Sequence, residues 1–308
     1  METERIYILG SGSVGTSLAV HLVNHGRSVT AVRTSTDDIE PQTVEVTISG
    51  GHGRTFKALV ETVSLAKLKR IAGTVVVTAK SYANGLIASK LREREISAPI
   101  VIMQNGIGVE DPYLGLDSLR IYRCVLYVTG QKIADNAYAF APITPCPVGV
   151  VRGDEQELEH LVKILDTPEF PFVLHGSIQQ EVWKKAIINS VFNSICPLLE
   201  VDNGIFVRSE RTALLAREIV DECIPVMQSA GFSLNADEVM KQIFTISKGS
   251  DGQLISTLQD INSGRETEID YLNLEIARIA QRLAPQSRVS TTRALGELIK
   301  IKSMLRKK

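Results

Sequence analysis

Short, nearly continuous apolar runs alternate with longer amphipathic segments through the first half of the chain. Apolar runs rich in β-branched residues are typical of strands buried on both faces of a parallel sheet. Strands are predicted at Arg5–Leu9, Ser28–Arg33, Thr43–Ser49, Thr55–Leu59, Thr74–Thr78 and Pro99–Met103. Helices are predicted at Val14–Asn24, Val63–Arg70 and Gly85–Arg94. The alternation predicts an α/β fold with a doubly wound sheet and helices on both faces, and the third and fourth strands form a hairpin.

The pattern changes near Ile178, where long helical periodicities begin and strand signals nearly vanish. Helices are predicted at Ile178–Leu199, Ser209–Ser229 and Ala236–Ser247, with two more between Thr267 and Lys302. We place the boundary in the composition shift at Thr167–Gly176. The chain is therefore predicted to form a Rossmann-type domain over residues 1–174 and an all-helical domain over residues 175–308.

Composition excludes several classes of protein. The length of 308 residues suits two domains, and the net charge of −1 gives no basic excess for nucleic acid or an anionic membrane. No apolar run is long enough for a signal peptide or a membrane helix. Cys124, Cys146, Cys196 and Cys223 are scattered without a CxxC pair, which predicts a reduced, cytoplasmic protein with buried thiols rather than a cysteine nucleophile.

A glycine-rich loop follows the first predicted strand and opens the first predicted helix. Its residues are Gly10, Ser11, Gly12, Ser13, Val14 and Gly15. The GxGxxG pattern alone is weak and also fits a surface turn, but this position between strand and helix is the one that dinucleotide binding requires. The N–H groups and the dipole at the start of the helix favour a pyrophosphate. The loop predicts a dinucleotide site.

The end of the second predicted strand bears on the choice of cofactor. NAD-binding chains usually carry an acidic residue there, whereas this chain carries Arg33 followed by Thr34 and Ser35. A guanidinium group suits the 2′-phosphate of NADP(H), so we predict that cofactor. The alternative is a surface arginine at the end of a strand.

Two histidines, His21 and His25, lie four residues apart on the first predicted helix. This spacing is compatible with a metal site or with an ordinary helix face. No third ligand lies nearby in the sequence, and the helix already serves the cofactor. We therefore predict no metal.

A polar stripe interrupts the apolar segment KKAIINSVFNSI. Lys185, Asn189 and Asn193 lie four residues apart on one face of a predicted helix, where burial without partners would be unfavourable. A second polar cluster contains Ser256 and Glu268, although a capped, charged helix start would have the same residues. If Glu268 pairs with Lys185, a small polar acid could bind between the domains. Lys185 could then stabilise or protonate a carbonyl oxygen as hydride reaches its carbon.

These motifs resemble the ketopantoate reductase (2-dehydropantoate 2-reductase) family over nearly the whole chain. The matching blocks are GSGSVG at Gly10–Gly15, Lys80 after the Thr74–Thr78 strand, Gln104-Asn105-Gly106, Trp183-Lys184-Lys185 with Asn189 and Asn193, Ser256–Asp260, and Thr267–Asn273. The lysine–asparagine helix and the TEIDYLN block are far more specific than the glycine loop.

The resemblance implies NADPH-dependent reduction of 2-dehydropantoate to pantoate, on the route to pantothenate and coenzyme A. It implies that Lys185 is the general acid and that Glu268 holds its ammonium group. Asn105 would lie near the nicotinamide ribose and the substrate, Asn189 and Asn193 near the hydroxyl end of the substrate, and Ser256 at its carboxylate. Lys80 would contact the cofactor.

Two departures from the family pattern accompany this resemblance. Leu274 stands where the family usually has glycine, and Ala284–Val289 differs from the usual glycine–isoleucine–x–threonine–proline stretch.

The alternatives are a reductase of another 2-oxo acid and an NADP(H)-binding sensor without catalysis; the intact polar set argues against the sensor. The helical domain could form a homodimer with a second copy or stand alone.

Overall fold

The computed structural model describes residues 4–116 and 119–307. The β-strands in these residues are β1 (Arg5–Leu9), β2 (Ser28–Arg33), β3 (Gln42–Ser49), β4 (Thr55–Ser64), β5 (Arg70–Ala72), β6 (Thr74–Val77), β7 (Glu95–Ser97), β8 (Ile100–Ile102), β9 (Ile121–Cys124), β10 (Val128–Ala134), β11 (Ala137–Pro142), β12 (Cys146–Arg152) and β13 (Phe172–Leu174).

The α-helices in the same residues are α1 (Ser13–Asn24), α2 (Asn84–Arg92), α3 (Asp111–Leu114), α4 (Glu155–Leu165), α5 (Ile178–Leu199), α6 (Ile205–Arg208), α7 (Glu210–Ser229), α8 (Ala236–Gly249), α9 (Ser256–Asn262), α10 (Asn273–Leu283) and α11 (Ser290–Arg306). None of these helices is both long and apolar enough to cross a membrane.

The chain divides into two compact units. The first comprises the chain up to Gln104 together with Val109–Gln179, and the second comprises Asn105–Gly108 together with the chain from Gln180 onward. The predicted boundary after residue 174 lies a few residues before Gln180. Nothing in the hydrophobic pattern set residues 105–108 apart from their neighbours.

The first unit contains an eleven-stranded sheet in the order β10-β11-β3-β4-β2-β1-β6-β8-β9-β12-β13. Strand β1 lies between β2 and β6 and is parallel to both, with Leu9 opposite Val32 and Val77. The pairs β3–β4, β10–β11 and β9–β12 are antiparallel. The predicted doubly wound α/β fold is confirmed, and hairpins make the sheet mixed rather than parallel throughout.

The core of this unit forms where apolar strands and helix faces meet. Strands β6 and β8 are fully buried, which explains their continuous apolar sequences. Helix α1 contributes Leu18 and Leu22, and α4 contributes Leu158, Leu161 and Leu165. The positions in α4 recur at helical spacing, so a single face of that helix is apolar.

One predicted helix is wrong. The segment Val63–Arg70 contains the end of β4, a 3₁₀ turn at Leu65–Lys67 and the start of β5. Val63 and Ser64 pair with Val32 and Arg33 of β2, so sheet pairing overrides the local helical periodicity. The sequence analysis also missed the strands β5, β7 and β9–β13 and the helices α3, α4, α6 and α9.

The second unit consists of helices and short turns, with no strand among its described residues. Helix α5 has the predicted bounds, Ile178–Leu199. The predicted start of α7 at Ser209 is the N-cap: its side chain accepts a hydrogen bond from the N–H of Thr212, and the helix begins at Glu210. The all-helical character predicted for this region is confirmed.

Candidate functional site

The glycine loop of the first unit joins β1 to α1 in a tight turn. Gly10 has φ +116°, and its N–H donates to Val32 O at 3.0 Å. A Cβ atom on Gly10 would clash with the backbone of Ala79, and one on Gly15 would clash with Gly10 O and the Thr78 hydroxyl. Only glycine therefore fits at these two positions.

Gly12, in the same loop, faces open space. It is exposed, and a Cβ atom there would meet nothing within 4 Å. Helix α1 begins at Ser13, and the first turn has no side-chain cap. N–H groups at the start of a helix without a cap favour an anion such as a pyrophosphate. The shape and chemistry of the loop fit a dinucleotide.

Arg33 lies at the carboxyl end of β2, directly after Val32, whose carbonyl accepts the hydrogen bond from the N–H of Gly10. Its Nε atom is buried and has no hydrogen-bond partner among the described residues. A buried donor without an acceptor is unfavourable, and a bound phosphate would supply the acceptor. Arg33 thus fits a phosphate group beside the glycine loop.

Lys80 follows the Ala79 backbone that packs against Gly10. It is half-buried and precedes a 3₁₀ turn, Ser81–Ala83, in which the N–H of Ala83 donates to Lys80 O at 3.0 Å. The first unit therefore brings together the glycine loop, Arg33 and Lys80, the cofactor residues predicted from sequence in this unit.

In the second unit, the polar stripe lies along α5. Lys185 and Asn189 are half-buried, and Asn193 is only 3% exposed. The Asn193 amide has two partners: Nδ2 donates to Asn189 O at 3.0 Å, and Oδ1 accepts from the Thr257 hydroxyl at 2.7 Å. The second bond joins α5 to α9, whose first residue is the exposed Ser256.

The segment containing Asn105 packs against the block that contains Glu268. The N–H of Ile107 donates to Tyr271 O at 2.9 Å. Gly106 has φ +106°, and a Cβ atom there would lie 2.5 Å from Tyr271 Cβ. Glu268 is half-buried and directly precedes the 3₁₀ turn Ile269–Tyr271.

A third bond links this block to α5, because Asn273 Nδ2 donates to Ser190 O at 3.2 Å. The elements that carry the predicted substrate residues are thus joined within the second unit. Those residues are Asn105, Lys185, Asn189, Asn193, Ser256 and Glu268. Sequence reasoning missed Thr257, whose only signal was its place beside Ser256 in the polar cluster.

Sequence reasoning also missed a buried ion pair in the first unit. Arg123, on β9, is 1% exposed; its guanidinium donates to Gln104 O at 2.8 Å and lies 3.5 Å from the Glu110 carboxylate. Gln179 Nε2 donates to Glu110 Oε1 at 2.7 Å. Burial lowers the pKa of Arg123, and the charge of Glu110 opposes this effect. The cluster holds the carbonyl group immediately before Asn105.

The remaining reactive side chains belong to the packing of each unit. All four cysteines lie in the described chain as buried thiols outside any disulfide, and burial raises the pKa of both Cys196 and Cys223 to about 12. Thiols with such a pKa are unreactive at neutral pH. His21 is 2% exposed and packs against the rings of Phe56 and Phe140.

Comparison with known proteins places the chain in a family. Residues 6–144 match the model described as ketopantoate reductase PanE/ApbA, and residues 177–303 match the model of its C-terminal part. The chain belongs to the ketopantoate reductase family. It is therefore an oxidoreductase acting on CH–OH groups with a nicotinamide dinucleotide cofactor, which in this family is NADP(H).

Relatives of similar length support this placement. The 2-dehydropantoate 2-reductase of Archaeoglobus fulgidus is 24% identical over 300 residues, 95% of this chain and 96% of the relative. A ketopantoate reductase structure from Ralstonia eutropha JMP134 aligns with a TM-score of 0.83 at 21% identity, covering 98% of this chain and 99% of that one. A D-mandelate dehydrogenase solved with NADH and anilino(oxo)acetate has a TM-score of 0.84 at 19% identity and the same coverages.

The departure from the family pattern at Leu274 is accommodated by packing. Leu274 is buried with Ile261, Ile269 and Ile299. A Cβ atom on Gly296 of α11 would lie 2.9 Å from Leu274 Cδ2, so the facing helix provides the space that the larger side chain needs. The second departure, Ala284–Val289, connects α10 to α11 and begins with the buried Ala284.

Proposed function

We propose that the protein reduces 2-dehydropantoate to pantoate with NADPH, as a step of pantothenate and coenzyme A biosynthesis. The observation that carries this proposal is the hydrogen bond from Thr257 to Asn193, which joins two motif blocks of the family within the second unit. The bonds from Ile107 to Tyr271 and from Asn273 to Ser190 support it. A buried polar cluster built on the family's motif blocks favours a polar substrate.

The first unit would hold the cofactor through its own donors. The N–H groups at the start of α1 would bind the pyrophosphate, and Arg33 would bind the 2′-phosphate with its buried Nε. Lys80 would add a positive charge beside the loop. When bound, the reduced nicotinamide supplies the hydride.

Lys185 would act as the general acid. The oxygen of a 2-oxo group gains negative charge as the group is reduced, so a donor that binds this oxygen stabilises the transition state more than the ground state. Lys185 is half-buried, where charges are screened less than in bulk water. Glu268 would hold the ammonium group in place.

Amide and hydroxyl groups of the second unit would orient the substrate. Asn193 uses one hydrogen of Nδ2 for Asn189 O, and its second hydrogen could reach a substrate hydroxyl. Asn189 would bind the same end of the substrate from one turn earlier. The exposed Ser256 would donate to the carboxylate, and Asn105 would bind near the reacting carbon.

The second candidate is reduction of another 2-oxo acid. A D-mandelate dehydrogenase shares the fold, so the same scaffold can serve a hydroxy acid with an aryl substituent. The residues proposed for the general acid and the carboxylate would serve both substrates. The side chains around the substituent would decide between them.

A direct assay tests the proposal. Purified protein is mixed with NADPH or NADH and with 2-dehydropantoate or a panel of aliphatic and aryl 2-oxo acids, and loss of reduced-cofactor absorbance is followed. We expect the highest kcat/KM for 2-dehydropantoate with NADPH. A higher kcat/KM for another 2-oxo acid would identify that acid, rather than 2-dehydropantoate, as the substrate. NADPH binding without turnover of any acid in the panel would contradict the enzymatic proposal.

A further inference from the structure

The edge strand β10 passes beside the glycine loop. It is one of the two end strands in the sheet order and pairs with β11. A Cβ atom on Gly130 would lie 3.1 Å from Ser13 Oγ and 3.3 Å from Ser13 Cβ. One face of β10 therefore lies directly against the start of α1.

The side chain of Lys132 projects from this same face. Alternate residues of a strand point to the same side, and Lys132 follows Gly130 by two positions. The ladder is still regular there, with Lys132 opposite Tyr138, and becomes irregular only after Lys132. The Lys132 side chain is 58% exposed and pairs with Asp135 at 2.6 Å.

Arg33 ends β2, the strand next to β1, and β2 and β10 lie on the same side of β1 in the sheet order. Its neighbour Val32 accepts the hydrogen bond from Gly10, and its own Nε is buried without a partner among the described residues. Asp135 raises the pKa of Lys132, and the positive charge of Arg33 opposes this rise. The fold thus gathers two cations in one region, where they repel each other and favour an anion.

We propose that Lys132 is a second cation for the 2′-phosphate of NADP(H), acting together with Arg33. This inference rests on the proposed function, in which Arg33 binds that phosphate. Asp135 holds the ammonium group in the free protein, and the phosphate dianion replaces the carboxylate on binding. The edge strand then contributes directly to discrimination between NADP(H) and NAD(H).

Binding measurements on the full chain test this role. NADPH and NADH differ only in the 2′-phosphate, so each is titrated into wild-type and Lys132→Met protein and followed by the fluorescence of the reduced nicotinamide. We expect Lys132→Met to weaken NADPH binding about three- to tenfold, the range for a charged hydrogen bond that is partly screened by solvent. NADH binding should stay unchanged.

Lys57 offers a matched control. It lies on β4 of the same unit, its side chain is 62% exposed, and it pairs with Glu45. Lys57→Met should leave both affinities unchanged.

Asp135→Asn removes the carboxylate that competes for Lys132, so it should strengthen NADPH binding and leave NADH binding unchanged. Weaker NADPH binding in that variant would contradict the proposal that the phosphate replaces Asp135 as the partner of Lys132.

The outcomes separate this inference from the proposed function. If wild-type protein binds NADPH no more tightly than NADH, the proposed role of Arg33 fails and the inference fails with it. If Arg33→Met abolishes the preference while Lys132→Met retains it fully, only the inference about Lys132 is overturned. Equal weakening of both cofactors by Lys132→Met would also overturn it, because the effect would not depend on the 2′-phosphate.

Discussion

Lys185 is the residue on which the proposed chemistry depends. Replacing it with alanine removes the proposed proton donor, so we expect Lys185→Ala to lower kcat about 10²- to 10⁴-fold, the usual contribution of a general acid. NADPH affinity should remain close to that of the wild type, because the proposed cofactor residues Arg33 and Lys80 belong to the other unit. Steady-state kinetics and a cofactor titration measure the two effects.

Lys184 is the natural control for this variant. It is also half-buried on α5, but it pairs with Glu181 at 3.5 Å one turn earlier on the same helix. Lys184→Ala should change kcat by less than about threefold, because Lys184 has no part in the proposed chemistry and its partly exposed ion pair contributes little to stability. Similar losses of kcat in both variants would contradict the assignment of Lys185 as the general acid.

The buried Arg123–Glu110 pair leads to a prediction about stability. Arg123→Met removes one charge and leaves the carboxylate of Glu110 buried, so we expect a loss of about 3–5 kcal/mol in the free energy of unfolding. Urea denaturation measures this loss. The double variant Arg123→Met/Glu110→Gln should recover part of it, because the second substitution removes the uncompensated charge.

The exposed pair of Arg5 and Glu61, 2.8 Å apart, provides the comparison. Arg5→Met should cost less than about 1 kcal/mol, because solvent screens this pair. Equal losses in the free energy of unfolding for Arg5→Met and Arg123→Met would show that burial of the Arg123–Glu110 pair does not increase the cost of losing the arginine.

At the scale of elements, the turn at Asn105–Gly108 is held against the 3₁₀ turn Ile269–Tyr271. Gly106→Ala would introduce a methyl group 2.5 Å from Tyr271 Cβ at a positive φ. Gly26, after α1, also has a positive φ of 73°, but its Cβ position is open. Gly106→Ala should therefore cost about 1–3 kcal/mol more than Gly26→Ala in urea denaturation. Equal costs would mean that the contact with Tyr271 is easily relieved.

At the scale of the whole molecule, His21 links folding to pH. Burial lowers the pKa of His21 from 6.5 to about 4, and the charges of Glu169, His25 and Arg54 modify this shift. The unfolded chain therefore binds a proton at a higher pH than the folded chain, and stability falls as pH decreases from 6.5 towards 4. This residue alone should reduce the free energy of unfolding by about 2 kcal/mol between about pH 7 and pH 4.5.

Urea denaturation of wild-type and His21→Leu protein across this pH range isolates the contribution. The leucine variant lacks the titrating group but keeps an apolar side chain near Phe56 and Phe140. Between about pH 7 and pH 4.5, the free energy of unfolding of His21→Leu should fall by about 2 kcal/mol less than that of the wild type. The same dependence in both proteins would show that His21 is not responsible.

The sequence by itself determined the elements whose signals are local. Strand β1, the glycine loop and the start of α1 follow from a short apolar run next to a turn in which Gly10 takes a positive φ. Helix α5 follows from 22 residues with one continuous pattern, and its polar stripe was visible at four-residue spacing. These features depend on interactions between residues close in the chain, so a single window of sequence contains them.

Tertiary structure decided the features that depend on distant partners. Val63 and Ser64 form a strand because β2 lies beside them, and Arg123 can be buried because Glu110 and the Gln104 carbonyl surround it. Thr257 became part of the candidate site through a bond to a residue 64 positions away. Pairing between strands and burial of polar groups depend on which segments meet in space. The hydrophobic pattern of one segment does not identify the segment that it will contact.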